Sequence, residues 1–272
     1  MNLLIILALI ASTQTWTAKS PAKYVNPLIG TEKMGHTYPG ATVPFGMVQL
    51  SPDTDTISYS VNGLYNKEVY KYCAGYQYPD STIVGFSHTH FSGTGHSDLG
   101  DILIMPTTGV LRLNPGTADK HKEGFRSLFR HDNEIAEAGY YSVFLDDYRI
   151  KAELTATSRV GIHKYTFPES DSAHIILDLV HGIYNYPGKN IWTFLRVEDR
   201  TTITGYRQTN GWGRTRTQFF AIKFSKPFKN YGHKSFSDNI IYKGFWRRFN
   251  QESNFPEMAA PQLRAYFDFE TE

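Results

Sequence analysis

The sequence has 272 residues, of which 40% are hydrophobic, 20% charged and 15% aromatic. This composition is ordinary for a globular protein and excludes a disordered, a collagen-like or a multi-spanning membrane chain. A formal net charge of +2, with no basic cluster longer than Arg247-Arg248, argues against nucleic acid as a partner.

The chain opens with an apolar run from Leu3 to Ala11, followed by the polar residues Ser12-Thr13-Gln14. This run is too short to span a bilayer and is typical of the hydrophobic region of a secretory signal. We therefore predict a signal peptide over residues 1–18 and an exported protein, periplasmic or extracellular. No membrane attachment is expected after the signal is removed.

Beyond this segment, apolar and polar residues alternate as in strands that have one buried face. The segment 174–180 is richer in apolar residues, so we expect it to be a central strand. The clearest alternation is found at Ile150, Ala152, Leu154 and Ala156, at Phe220, Ile222 and Phe224, and at Ala265, Phe267 and Phe269.

Turn dipeptides separate the strand-like segments. They are Asn62-Gly63, Pro115-Gly116, Pro187-Gly188 and Asn210-Gly211. Many strands joined by turns predict an all-β fold, an antiparallel sandwich or barrel. One short peripheral helix is expected over residues 132–138. Because the sequence has no internal repeat and no linker rich in Pro and Ser, we expect one domain over residues 22–272.

Histidine, aspartate and glycine are concentrated in the stretch that ends at Asp101. His88 and His90, two positions apart, are expected on the same face of a strand. With His96, Asp98 or Asp101 they could complete a three-ligand metal site. The same side chains could instead contact a sugar, or bond to nearby backbone and hold the loop in shape. A small metal-dependent enzyme that uses His88, His90 and Asp98 is therefore one function that the residues leave open.

Two aspartate pairs, Asp53/Asp55 and Asp98/Asp101, have the residue type for acid–base work on a glycosidic bond. Aspartates beside Gly and Pro are also common turn and cap residues, so the pairs alone do not indicate an enzyme. The segment 93–95 lacks the third glycine and the helix of a dinucleotide fingerprint, which excludes that class of site.

Two single residues carry expectations of their own. The only cysteine, Cys73, excludes an intramolecular disulfide and a cysteine-based zinc site, and is expected to be a small buried side chain. Trp212 lies between two glycines and is expected at an exposed hairpin tip. There it would be a stacking platform, an interdomain contact or an ordinary edge packing residue.

Motifs in order along the chain resemble those of glycoside hydrolase family 92, the calcium-dependent exo-acting α-mannosidases. Because they are many and colinear, the chain is identified as a member of that family through its N-terminal domain. The motifs are YVNPLIGT from Tyr24, GHTYPG from Gly35, PFGMVQLSPD from Pro44, GY from Gly75, GFSHTHFSGTGHSDLGD from Gly85, MPT from Met105, HDNE from His131, GYY from Gly139, GYR from Gly205, GW from Gly211 and FSKPF from Phe224.

The resemblance implies an antiparallel β-sandwich like that of galactose-mutarotase-like carbohydrate domains, with long N-terminal loops. It implies α-mannoside glycans as ligands, and an inverting reaction completed in cis or in trans by an (α/α)6 domain absent from this sequence. That domain is expected to hold the catalytic acid, the base and most of the Ca2+ ligands. No residue here matches the family's acid or base, so none is expected to be catalytic, and the domain is expected to be inactive alone.

The resemblance also places part of the substrate pocket on this domain. The residues expected there are Tyr76, His88, His90, Thr94, Asp98, Asp101 and Trp212. The alternative function is a free-standing carbohydrate-binding module. A domain that packs against a second one should expose an apolar patch near Trp212 or near the 88–101 loop, whereas an evenly polar surface there would favour the module.

Overall fold

A computed structural model of the chain describes residues 20–55, 57–93, 98–234, 240–245 and 255–271. The expected signal peptide and Thr94 lie outside these residues. Within them the chain forms strands and only short 3-10 helices, at Pro21–Tyr24, Lys67–Tyr72, His121–Glu123 and His131–Asn133. The all-β prediction is therefore confirmed.

The strands are numbered in chain order. They are β1 (Ala41–Thr42), β2 (Gln49–Asp53), β3 (Ser60–Val61), β4 (Leu64–Tyr65), β5 (Thr82–Ile83), β6 (Gly85–Ser87), β7 (Leu103–Thr108), β8 (Ser127–Leu128), β9 (Glu134–Glu137), β10 (Tyr140–Leu145), β11 (Ile150–Ala156), β12 (Gly161–Thr166), β13 (Ser170–Asp178), β14 (Asn190–Asp199), β15 (Thr202–Gly211), β16 (Arg214–Lys223), β17 (Asn230–Lys234), β18 (Ile241–Lys243), β19 (Glu257–Ala260) and β20 (Arg264–Thr271).

Three antiparallel sheets form the body of the domain. The largest has the order β1-β2-β6-β7-β13-β20-β17-β18, and two four-stranded sheets have the orders β12-β11-β10-β9 and β16-β15-β14-β19. On β13, Ile176 packs in a core with β10 and β11, while Ile175 and Leu177 pack in a second core with β14 and β15. The large sheet is therefore the middle layer of a β-sandwich.

Strand β13 lies between β7 and β20, which confirms the prediction of a central strand. Because both of its faces are covered, Ala173 and the run 175–177 are all buried and the segment does not alternate in polarity. Burying one such Ile or Leu side chain contributes about 1.5–3 kcal/mol.

The alternating segments are strands, as expected. On β11 the side chains of Ile150, Ala152, Leu154 and Ala156 are buried, and the intervening ones are turned towards solvent. Strand β16 includes Phe220 and Ile222, which pack against the second core. It starts earlier than its apolar pattern indicates, at Arg214.

The helix expected over residues 132–138 is wrong. Residues Glu134–Glu137 form strand β9, which pairs with β10 and follows a short 3-10 turn. Glu134 and Ala136 face inward while Ile135 and Glu137 are exposed, a period of two that no helix produces. The local propensity is overridden because the buried carboxylate of Glu134 has hydroxyl partners on neighbouring elements.

The turn predicted at Asn62-Gly63 is confirmed, and the turn predicted at Asn210-Gly211 is shifted along the chain. Asn62 and Gly63 join β3 to β4 with φ of 52° and 77°, the backbone of a tight two-residue hairpin. Asn210 and Gly211 do not reverse the chain, because β15 pairs with β16 as far as Gly211 and Arg214. The reversal falls on Trp212 and Gly213 instead.

Candidate functional site

The loop that carries most of the predicted site residues joins β6 to β7. Its ends are closed on each other, since His88 N donates to Asp101 O at 2.9 Å and Gly100 N donates to Thr89 O at 2.8 Å. This loop, residues 88–102 with 94–97 outside the described part, lies next to the β15–β16 hairpin. We call the surface formed by this loop and the hairpin tip the loop face.

Asp101 is the buried anchor of the loop. Its Oδ2 accepts a hydrogen bond from Thr89 Oγ1 at 2.6 Å and one from Arg216 Nη2 at 2.7 Å. Its Oδ1 lies 3.3 Å from Arg207 Nη1, and both of these side chains are inaccessible to solvent. A carboxylate placed between two guanidinium groups is charged and immobile, so Asp101 supports the loop from below.

Arg207 and Lys189 form the floor beneath this anchor. Arg207 Nε donates to Asn190 Oδ1 at 2.9 Å, and its other nitrogens face the carbonyls of Gly100 and Val180. Lys189 is buried and donates to the carbonyl of Ile183. Burial first, and then the charge of Arg207, hold the pKa of Lys189 well below its usual value.

Asp98 connects the loop to the hairpin tip. Its Oδ1 accepts from Trp212 N at 2.8 Å, and its Oδ2 accepts from Gly213 N at 2.6 Å. Burial opposes ionisation of this carboxyl, but the Gly213 and Trp212 amides and then the charge of Arg216 outweigh it, so its pKa is lowered. Trp212 itself is 77% exposed at the tip of the β15–β16 hairpin.

Large apolar side chains are exposed near the 88–102 loop and the hairpin tip. Besides Trp212, Phe91 in the same loop is 49% exposed, and Tyr70 is 40% exposed. Tyr70 contacts the His36 ring edge-on at 4.9 Å, and His36 O accepts from Gly93 N in the loop. Aromatic side chains are therefore exposed both in this loop and at the hairpin tip.

His90 belongs to a buried ionic cluster under the loop. Its Nε2 lies 2.9 Å from Asp53 Oδ1, and its Nδ1 lies 2.7 Å from the carbonyl of Gln49. Its Nε2 also lies 3.2 Å from Ser87 Oγ, so the ring is held at both nitrogens. His181 Nε2 donates to the other oxygen of Asp53 at 3.0 Å. Burial opposes the charge of Asp53, but the two rings outweigh it and hold its pKa well below the usual range.

His88 has different partners from those of His90. Its Nδ1 donates to the carbonyl of Ile102 at 2.6 Å, which leaves Nε2 to accept from His163 Nε2 at 3.0 Å. His163 Nδ1 then accepts from Tyr165 Oη at 2.7 Å. Burial disfavours the charged form and lowers the pKa of His88 to about 4, so this chain of three rings is neutral.

Tyr76 points away from the loop face into the first core. Its Oη donates to Glu134, with oxygens at 2.9 and 3.0 Å, and Tyr141 Oη donates to the same carboxylate at 2.6 Å. His131 Nδ1 lies 2.6 Å from Glu134, and its ring stacks on Tyr78 with centroids 3.9 Å apart. Tyr76 is 1% exposed, and its hydroxyl is held by Glu134.

The structure thus brings together three of the predicted residues, Asp98, Asp101 and Trp212, around Arg216. Buried His90 lies in the cluster below them, while His88 and Tyr76 serve other networks. Sequence reasoning did not select Arg207, Arg216, His181 or Glu134. For Arg207 a signal existed: it occupies an inward position of the alternating strand β15, between buried Gly205 and Thr209.

A metal centre built from the predicted ligands has no support in the part of the chain that the structure describes. No group of three or more His, Cys, Asp or Glu side chains there is arranged to hold a metal ion. Asp98 and Asp101 are committed to amides and guanidinium groups, and the nitrogens of His88 and His90 to partners of their own. Cys73 is buried, as predicted.

No helix among the described residues combines the length and the apolar character needed to cross a membrane.

Comparison with protein families gives one match, to the profile described as the glycosyl hydrolase family 92 N-terminal domain, over residues 24–272. Among curated proteins, an uncharacterised secreted glycosidase of Arthroderma benhamiae is 29% identical over 152 residues. That alignment covers 55% of this chain and 18% of the other.

Solved structures with this fold include a family GH92 α-mannosidase of Bacteroides thetaiotaomicron, also determined in complex with mannoimidazole. It is 38% identical with a TM-score of 0.80, and the match covers 92% of this chain and 30% of that one. An inverting GH92 mannosidase of the same species is 25% identical with a TM-score of 0.65, covering 92% and 29%. The chain therefore spans less than a third of the length of these relatives.

Proposed function

The chain belongs to glycosyl hydrolase family 92 as an N-terminal domain of that family, and from this premise we propose that its loop face binds α-mannoside glycans and packs against a second domain. We take residues 22–272 as the domain, preceded by a signal peptide over 1–18. The resulting location is periplasmic or extracellular, in keeping with similarity to a protein named as a secreted glycosidase.

The observation that carries this proposal is the exposed ring of Trp212, which lies above the ionic contacts of Asp101 with Arg207 and Arg216. The indole is 77% exposed, and the turn that carries it is held by the carboxylate of Asp98. Aromatic faces pack well against the apolar face of a pyranose, and the amphipathic indole suits a surface that is partly wet. Phe91, in the 88–102 loop, is a second exposed aromatic side chain on the loop face.

The buried residues under this surface act as supports in the proposal. Asp101, Arg207 and His90 are inaccessible to solvent, so they hold the loop in position and do not touch the glycan. Asp98 and Trp212 are the residues of the predicted set that reach the surface. Tyr76 and His88 stabilise the sandwich on which the loop is built.

We propose that the complete family enzyme catalyses hydrolysis, and that Asp53, Asp98 and Asp101 of this chain do not act as its acid or base. Inverting hydrolysis needs an acid and a base on either side of the bond, with about 6.5–9.5 Å between the two carboxyl groups. Asp53, Asp98 and Asp101 are each held by cations or amides, which leaves none of them placed to protonate a leaving group. The residues described do not fit a Ca2+ site of their own, so we assign the ion to the second domain.

The test is titration of the 272-residue protein with mannose and α-mannobiose, with binding detected by heteronuclear NMR or calorimetry. We expect weak binding, with Trp212→Ala weakening it by at least about 10-fold. Trp192→Ala is the control, because Trp192 is 40% exposed on β14 and belongs neither to the 88–102 loop nor to the hairpin tip. No binding by the unsubstituted protein at millimolar sugar, or equal loss in both variants, would contradict the proposal.

A second measurement tests whether the chain alone has enzymatic activity. Incubation of the chain with aryl α-mannosides and calcium is expected to give no turnover. Clear turnover that survives repurification would overturn the assignment of catalysis to another domain.

A free-standing carbohydrate-binding module is the second candidate, favoured by a different observation. Phe194, Tyr206 and Phe219 form a row of rings across β14, β15 and β16, with centroids 5.5 and 5.6 Å apart, and Phe219 is 71% exposed. If glycan affinity falls in Phe219→Ala and is unchanged in Trp212→Ala, this sheet is the binding surface and the module is the better description.

A further inference from the structure

The carboxylate of Asp98 is hydrogen-bonded to the backbone of the turn that carries Trp212. The two amides of this turn, Trp212 N and Gly213 N, both donate to Asp98, at 2.8 and 2.6 Å. A two-residue hairpin turn leaves such amides without strand partners. Here a side chain from a loop more than one hundred positions away in sequence satisfies them.

The glycines on either side of Trp212 follow from this contact. A Cβ atom on Gly211 would lie 1.9 Å from Asp98 Oδ1, far inside van der Waals contact. A Cβ on Gly213 would lie 3.1 Å from Asp98 Oδ2. The sequence Gly-Trp-Gly therefore lets the carboxylate reach the backbone while it presents a single large ring outward.

Asp98 is itself held in place. Arg216 donates from Nη2 to the backbone carbonyl of Asp98 and to Oδ2 of Asp101, so one guanidinium group connects both aspartates. Arg216 belongs to β16, the strand that leaves the turn. The hairpin thus holds the loop through Arg216, and the loop holds the hairpin tip through Asp98.

We propose that Asp98 is the positioning residue of Trp212, which fixes the indole on the loop face in the orientation that stacks on a sugar ring of an α-mannoside glycan. The ligand in this inference, an α-mannoside glycan, rests on the proposed function. The contact between Asp98 and the turn that carries Trp212 does not depend on it. The lowered pKa of Asp98 agrees with it, since amide donors favour the charged carboxylate.

The physical consequence concerns the order of the hairpin tip. Without the carboxylate the two amides turn to water and the tip samples several conformations. The ring must then be ordered when the glycan binds, at a cost that corresponds to about a 2- to 10-fold loss of affinity. The strands of the sandwich, which are held by their own ladders, are not affected.

The experiment compares Asp98→Asn, which keeps the size of the side chain but removes one acceptor, with the unsubstituted protein. Asp199→Asn is the matched control, because Asp199 accepts from Thr201 N at 2.6 Å in the turn at the other end of β15. The first readout is hydrogen exchange at the Trp212 and Gly213 amides, which needs no ligand. We expect at least 10-fold faster exchange in Asp98→Asn, and no change at these amides in Asp199→Asn.

The second readout is a double-mutant cycle on the affinity for α-mannobiose. If Asp98 acts through the indole, Asp98→Asn weakens binding in the unsubstituted protein and has no further effect beside Trp212→Ala. Unchanged exchange at the two amides, or an equal loss of affinity in both backgrounds, would overturn the inference. Absence of any sugar binding by the unsubstituted protein refutes the proposed function instead, and the exchange result still decides the role of Asp98.

Should Asp98→Asn perturb folding, exchange at the Tyr206 amide in the middle of the β15–β16 ladder reports it. Asp98→Glu is then the second variant, because it keeps two carboxylate acceptors and displaces them by one methylene. Faster exchange confined to the tip in that variant supports positioning, whereas protection equal to that of the unsubstituted protein counts against it.

Discussion

Arg207 Nη1 lies 3.3 Å from Asp101 Oδ1 in an ion pair from which solvent is excluded on both sides. The pair joins β15, a strand of one outer sheet, to the loop that precedes β7 in the middle sheet. Because water cannot reach either group, each charge depends on the other for compensation. The loop face is therefore stabilised by an internal ionic contact in addition to the contacts of Asp98 and Arg216.

Replacement of Arg207 by Met should strongly destabilise the domain. The variant leaves the Asp101 carboxylate buried with one cation fewer, and breaking a buried pair in this way costs about 3–5 kcal/mol. The free energy of unfolding in urea measures the effect. Arg196→Met is the control, because Arg196 pairs with Glu257 on the surface and its loss should cost only about 0–1 kcal/mol. Similar losses in both variants would contradict the importance of burial.

Gly75→Ala should be far more harmful than Gly63→Ala. Both glycines have positive φ, +83° and +77°, but a Cβ on Gly75 would lie 2.1 Å from Asp53 Oδ1, whereas one on Gly63 would meet nothing within 4 Å. The backbone strain alone costs about 1–2 kcal/mol, and displacing the Asp53–His90 pair adds about 1–3 kcal/mol. Thermal unfolding of the two variants tests this, and equal shifts in Tm would refute the steric argument.

Tyr141→Phe should destabilise the first core by about 1.5–3 kcal/mol, because it removes a hydrogen bond to the buried carboxylate of Glu134. Tyr140→Phe is the neighbouring control. Tyr140 donates to Glu153, which also has Lys151 and Lys164 as partners at the surface, so its loss should be small. Chemical denaturation separates the two, and a larger effect for Tyr140→Phe would contradict this view of Glu134.

Stability should rise with pH between about 4 and about 6.5. Burial lowers the pKa of His88 to about 4 in the folded protein, while an unfolded histidine titrates near 6.5. Within that window the unfolded state binds more protons, so the free energy of unfolding increases with pH. His163 is shifted in the same direction, chiefly by burial. Urea midpoints across this range measure the slope, which His88→Asn should reduce. An unchanged slope would show that His88 titrates normally.

Above about pH 6.5 the trend should reverse because of His174. Burial opposes its charge, but the hydrogen bonds to Asp268 and to the Gly109 carbonyl outweigh it and raise its pKa above 6.5. A raised folded pKa gives stability that is fully present below 6.5 and is lost as pH rises through the folded value. His174→Gln should flatten this decline in urea midpoints. A decline of the same steepness in that variant would assign it to other groups.

Several elements could be predicted from the residues because their signal is local. The alternation at 150–156 needs only a solvent side and a core side, and it is strand β11 in the structure. The failed helix at 132–138 shows the limit of such signals. Whether Glu134 faces outward on a helix or inward on a strand depends on the hydroxyl groups of Tyr76 and Tyr141, and Tyr76 is 58 positions away.

The candidate site shows the same division between local and distant information. Trp212 between two glycines indicates an exposed turn, but only the structure shows that Asp98 occupies the space the glycines leave. His88 and His90 are equivalent as a sequence pattern. In the fold one ring belongs to a neutral chain with His163, and the other to a charged cluster with Asp53.

The sequence by itself determined the fold class, the positions of the clearly alternating strands and, through colinear motifs, the family. Those properties depend on the period of polarity and on residue identity along the chain. The tertiary structure alone decided which polar residues are charged supports and which reach solvent. A carboxylate such as Asp101 acquires its role from Arg207 and Arg216, which lie more than one hundred positions further along the chain. Their electrostatic interaction depends on distance in space and on the exclusion of water, and neither can be read from spacing in the sequence.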